Sequence, residues 1–66
     1  MKKQKLIRDT IIDGNKYDIY QIYCLSYNGV YEDCGYDVVT TSDQKSVITF
    51  IGYPTDEDIK RGLNKN

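Results

Sequence analysis

From Tyr17 to Thr40 apolar and polar residues alternate, and the run folds back on itself at Asn28-Gly29. Period-two alternation is the mark of a strand with unlike faces. Asn-Gly suits the two positive-φ positions of a type I′ turn, so the segment predicts a hairpin with a two-residue loop. Pairing outward from that turn sets Tyr27 opposite Val30, Tyr23 opposite Cys34, Ile19 opposite Val38 and Tyr17 opposite Thr40. One face then carries Tyr17, Ile19, Tyr23, Leu25, Tyr27, Val30, Cys34, Tyr36 and Val38, broken by Gln21 and Glu32. The second face carries Asp18, Ser26, Asp33 and Asp37, with Tyr20, Ile22, Cys24, Tyr31 and Val39 among them.

On the N-terminal side, Lys5 to Ile12 predicts a first strand, joined to the hairpin through the turn signal Asp13-Gly14-Asn15. A two-residue loop there places Leu6, Thr10 and Ile12 on the core face. A three-residue loop with a bulge places Ile7 and Ile11 there instead. After the polar loop Thr41 to Lys45, the β-branched run Ser46 to Gly52 predicts a fourth strand, ended by Pro54. Thr55 has the features of a helix N-cap. Asp56, Glu57 and Asp58 fill the first turn, Asp58 at the acidic position of a capping box. Ile59 and Leu63 form a narrow apolar stripe, and Gly62 limits the helix to roughly two turns with fraying after Leu63. The expected fold is α+β: a small antiparallel meander sheet, β-β-β-β-α, with one short C-terminal helix packed on the Tyr17-Tyr23-Val38 side. Residues 1–66 read as a single small domain, with 1–4 a flexible basic arm and 64–66 a frayed tail.

At 66 residues the core must be thin, because chains of this size bury only about 60% of their unfolded surface. No run of roughly twenty apolar residues is present, and no apolar stretch follows the basic N-terminus as in a signal peptide. The expectation is a cytoplasmic protein that does not enter a membrane. In the two-residue-loop register Cys24 and Cys34 lie on opposite faces, which excludes a disulfide within one chain unless a bulge intervenes. The expectation is therefore two reduced, partly buried thiols, with a bond between chains as the alternative. Two cysteines without any histidine fall short of a zinc site, and no cofactor is expected.

Charge changes the reading more than composition does. Lys2, Lys3, Lys5 and Arg8 make the start basic. Residues 9–58 hold all ten acids against only Lys16 and Lys45, and Lys60, Arg61 and Lys65 return positive charge at the end. With no histidine and only isolated glycines, the usual bases, nucleophile pairs and phosphate loops are missing, so no enzyme is expected. Two features on the second face invite a binding role: an acidic stripe, Asp18, Asp33 and Asp37, and an aromatic and apolar set, Tyr20, Ile22 and Tyr31. They point to a non-enzymatic protein-interaction module, of the kind that serves a phage or mobile element as a small regulator or inhibitor, or to a homodimer. The alternative is a nucleic-acid binder using Lys2, Lys3, Lys5, Arg8, Lys60 and Arg61, which requires the two basic ends to converge in space. A self-associating structural domain is the third reading.

Overall fold

The computed structural model describes residues 2–65, leaving Met1 and Asn66 outside the described residues. Four strands, β1 (Lys2–Ile12), β2 (Asn15–Leu25), β3 (Tyr31–Thr40) and β4 (Ser46–Phe50), form one antiparallel sheet in the order β1-β2-β3-β4. A single helix, α1 (Asp56–Asn64), follows. The α+β meander is as the hydrophobic pattern predicts. The first strand starts earlier than expected. Lys2, Lys3 and Gln4 pair with Cys24, Tyr23 and Ile22, so these residues belong to the sheet and not to a flexible arm.

The first hairpin turn takes the two-residue form of its two expected alternatives, and the second departs from the two-residue form expected of it. Asp13 and Gly14 both have positive φ (52° and 82°), and Ile12 pairs with Asn15, so the two-residue turn of the I′ kind lies here. At the second turn only Gly29 has positive φ. Its amide donates to the Ser26 carbonyl and the Ser26 amide donates to the Val30 carbonyl. This is a three-residue loop, a type I turn closed by a left-handed glycine. The additional loop residue moves the pairing by one, so Leu25 faces Tyr31, Cys24 faces Glu32 and Tyr23 faces Asp33. A bulge at Cys34 takes the residue back, and from Ile22–Gly35 to Tyr17–Thr40 the register is the expected one.

The core sits under the helix. Ile19, Val38 and Ile59 are fully sealed, with Ile12 and Tyr17 beside them and Ile7, Val47, Ile48, Phe50 and Leu63 packed around. A bulge between Leu6 and Arg8 reconciles the two expected registers of β1: Thr10 and Ile12 face the helix as in the two-residue loop, while Ile7 also reaches the core. Each sealed aliphatic contributes about 1.5–3 kcal/mol by leaving water.

The helix is held at both ends. The Thr55 hydroxyl accepts from the Asp58 amide at 3.2 Å and the Asp58 carboxylate accepts from the Thr55 amide at 3.1 Å, completing the capping box. Gly62, expected to weaken the helix, is where it crosses the sheet. A Cβ at that position would lie 2.0 Å from Ile48 Cδ1, and the helix continues to Asn64 with Lys65 as its C-cap. Arg8 ties the first strand to this unit. It donates to the Asp56 carboxylate and the Pro54 carbonyl, both at 2.8 Å, and lies over the Tyr53 ring.

Candidate interaction surface

Past Gln21 and Tyr36 the sheet narrows, because β4 ends at Phe50, the partner of Tyr36. The far part consists of the beginning of β1, the end of β2 and the beginning of β3, and the molecule is correspondingly elongated, 42 × 21 × 19 Å. The helix, tied to Arg8 and Asp13, lies at the other end. At the tip Leu25, Tyr27 and Val30 are exposed, Tyr27 fully so. Their turn is fixed from within: the Ser26 hydroxyl donates to the Val30 carbonyl at 2.8 Å, and the Asn28 side chain accepts from the Val30 amide at 3.3 Å.

Cys24 and Cys34 form a disulfide within the chain, with Cα atoms 5.8 Å apart. The expectation of two reduced thiols is thereby corrected. The physical reason is the bulge, which brings Cys34 to the side of the sheet that Cys24 occupies. Ile22, Cys24, Cys34, Lys2 and Gln4 together line a shallow depression on that second face.

The same bulge dismantles the expected acidic stripe. Asp33 pairs with Tyr23 and so turns to the helix-side face, and Glu32 takes its place on the second face beside Cys24. There the Asp33 carboxylate accepts from the Gly35 amide at 2.9 Å. The Tyr36 hydroxyl is held above its ordinary pKa, first by burial and then by the Asp33 charge. Asp18 and Asp37 do remain on the second face, but both are engaged. Asp18, buried beside Val39, accepts from the Gln44 side chain at 3.1 Å, and Gln44 in turn accepts from the Tyr20 hydroxyl at 3.1 Å. Asp37 accepts from Ser46. The loop between β3 and β4 thus satisfies Asp18, and the first residue of β4 satisfies Asp37.

The aromatic set divides in the same way. Tyr20 and Ile22 stay on the second face, where Leu6 pairs with Tyr20. Tyr31 pairs with Leu25 on the opposite face, and the Lys3 ammonium sits 4.4 Å from its ring centroid.

The basic residues do not converge. Lys2, Lys3 and Lys5 lie along the far part of β1, whereas Lys60 is within 3.9 Å of Asp13, just past the other end of that strand. From Lys5 and from Lys2 the strand runs on to Asp13 for about 26 Å and about 36 Å at ~3.3 Å per residue, which keeps the two groups apart. Arg8 is engaged by Asp56, and Arg61 lies 3.8 Å from Asp58 on its own helix. Among the described residues no three metal-ligating side chains come together, and no helix is long and apolar enough to cross a membrane.

No family model matches the chain, and neither the curated proteins nor the solved structures contain a match. The surface must therefore be read from its own chemistry. The tip cluster Leu25, Tyr27 and Val30 escaped the hydrophobic pattern, which assigned these residues to a buried face. What exposes them is that β4 ends at Phe50, opposite Tyr36, so the signal is a fourth strand shorter than the hairpin, while Gly35 inside a strand next to Cys34 marks the bulge.

Proposed function

We propose that the chain is a non-enzymatic protein-interaction module that engages a protein partner through its far arm. The observation that carries the reading is the exposure of Leu25, Tyr27 and Val30 at the end of a cross-linked hairpin, beyond the part of the sheet that the helix covers. Water-exposed apolar and aromatic side chains on a rigid projection suit insertion into an apolar pocket of a partner. Tyrosine is among the residues that dominate such contacts, because it combines a large apolar area with few rotatable bonds. The disulfide and the internally bonded turn reduce the ordering that binding would otherwise require.

Charge complements this picture. Lys2, Lys3 and Lys5 flank the arm on one strand, and Glu32 and Asp33 flank it on another. Charges of both signs around an apolar centre set orientation and rate of encounter more than affinity. The reading as a nucleic-acid binder has less support, since its basic groups are far apart and Arg8, Lys60 and Arg61 face carboxylates.

The test uses the tagged full chain as bait in native lysate, at low and at high salt, beside a variant carrying Leu25→Ser, Tyr27→Ser and Val30→Ser. A protein recovered by the parent at both salt concentrations and lost by the variant, with both melting alike, is the expected result. Equal recovery by the two baits would overturn the assignment of the tip. Recovery of nucleic acid alone, lost at high salt, would overturn the module reading in favour of the lysines.

A further inference from the structure

The hairpin sequence holds two complete registers for its tip, and the disulfide is compatible with one of them. In the observed register the loop is Tyr27-Asn28-Gly29, Cys34 is bulged, and the Cys24 and Cys34 sulfurs meet on the second face. In the other register Asn28-Gly29 alone forms a type I′ turn and no bulge is needed. Leu25 then faces Glu32, Cys24 faces Asp33 and Tyr23 faces Cys34, so the two thiols point to opposite faces. Gly35 pairs with Ile22 in both, so it is the fixed point, and everything on the core side of it is unaffected.

Neither register is favoured by its pairs alone. The observed one places Leu25 across from Tyr31, and the straight one places Tyr27 across from Val30, each an aromatic–aliphatic pair. The observed one holds the lysine–tyrosine contact of Lys3 and Tyr31, the Asp33–Gly35 bond and the Ser26 and Asn28 bonds to Val30, and the straight one recovers the ladder pairing that the bulge interrupts. Gly29 can serve either turn, because both require positive φ at that residue.

We propose that the Cys24–Cys34 bond is a redox-controlled register switch: reduction lets the tip slide by one residue into the straight register, and oxidation draws it back. In the reductive direction a small dithiol supplies two electrons and two protons. Its thiolate attacks one sulfur, the mixed disulfide is resolved by its second thiol, and the products are free Cys24 and Cys34 thiols and the cyclic disulfide of the reagent. The slide carries Tyr31 and Asp33 to the second face, where Asp18 and Asp37 already lie, and carries Glu32 the other way. Cys34 is exposed and Cys24 half-buried, so the bond is open to such a reagent. A compartment kept reducing by dithiols holds the arm straight, and an oxidising one holds it bulged. That this changes the surface offered to a partner rests on the function proposed above, whereas the register change itself does not.

The experiment is nuclear Overhauser spectroscopy on the full chain, oxidised and then reduced with dithiothreitol. The expected result is that Leu25 loses its cross-strand contact with Tyr31 and gains one with Glu32, while the Ile19–Val38 contact persists. Retention of the Leu25–Tyr31 contact after reduction would overturn the switch, and so would loss of every cross-strand contact of Leu25. A second variant reads the straight register directly. Cys34→Ser with Asp33→Cys places the new thiol across from Cys24 only in that register. An oxidised monomer lighter by two hydrogens is expected, and thiols that stay free under the same oxidation overturn the proposal. Both readouts report pairing and not binding, so a failed tip assignment leaves them interpretable.

Discussion

Under the helix, order comes from burial: Ile19, Val38 and Ile59 are sealed from water between the sheet and α1, and Gly62 lets the two layers approach. In the far arm three strands run on without that layer, and a covalent bond, a turn and one lysine–tyrosine contact do the same service. The first arrangement answers to any change of side-chain volume. The second answers to the chemistry of sulfur and of one glycine. A domain of this size can therefore have a body set by packing and a tip set by one covalent bond.

Ile19→Ala removes a fully buried side chain at a cost of about 3–4 kcal/mol, close to the whole stability that a single small core supplies, roughly 3–5 kcal/mol. A urea titration should find the variant largely unfolded; a midpoint near that of the parent would mean the arm holds the fold. Gly35→Ala tests the junction. A Cβ there would lie 2.5 Å from the Phe50 carbonyl oxygen, on a backbone with φ of 111°. We expect a loss of about 2–3 kcal/mol and earlier amide exchange in β4.

Gly29→Val sharpens the contrast from the other side. An added Cβ meets nothing within 4 Å, so the left-handed backbone carries the penalty, about 1–2 kcal/mol. Amide exchange should accelerate at the tip and stay slow at Ile19 and Val38; acceleration throughout would show that both parts open as one unit.

The smallest effect concerns acid. The Arg8 hydrogen bond, assisted by Thr10, holds Asp56 below the ordinary value of 3.8, and the Thr55 amide does so for Asp58. For Arg8 itself burial is the largest single influence and acts downward, yet the bond to Asp56, the Asp56 charge and Tyr53 together outweigh it and leave the guanidinium raised. Carboxyls depressed in the fold contribute stability that is complete above their unfolded pKa and is lost as pH falls through the folded one. Helical ellipticity should therefore decline below about pH 4. Asp56→Asn should make that decline shallower, by a small amount because the pair is solvent-screened. An unchanged acid limb would remove the Arg8–Asp56 tie from the account.

The strands, the capped helix and the pairing of Ile19 with Val38 were legible in the residue pattern because burial on one face enforces period two. The tip was not. Its two irregularities cancel: the loop residue added at Tyr27 is returned by the bulge at Cys34, so the distant pairs are the same with or without them. Only the face of residues 30–34 reveals the difference, and there no helix lies above to select one. Exposure removes the very constraint on which pattern reading depends. The same logic explains β1, where Leu6-Ile7 and Ile11-Ile12 satisfied either register until a bulge allowed part of both.

The outer edge of β1 has a colloidal consequence. Alternate residues of this eleven-residue strand offer unpaired backbone groups to solvent, and Lys2, Lys3 and Lys5 stand along half of that edge. Two molecules approaching edge to edge in dilute buffer meet ammonium groups before they meet amides. Added salt shortens the reach of that repulsion, from about 10 Å at 0.1 M to about 3 Å at 1 M. The shelf life of a concentrated solution should accordingly fall as ionic strength rises, with turbidity growing by strand addition at this edge.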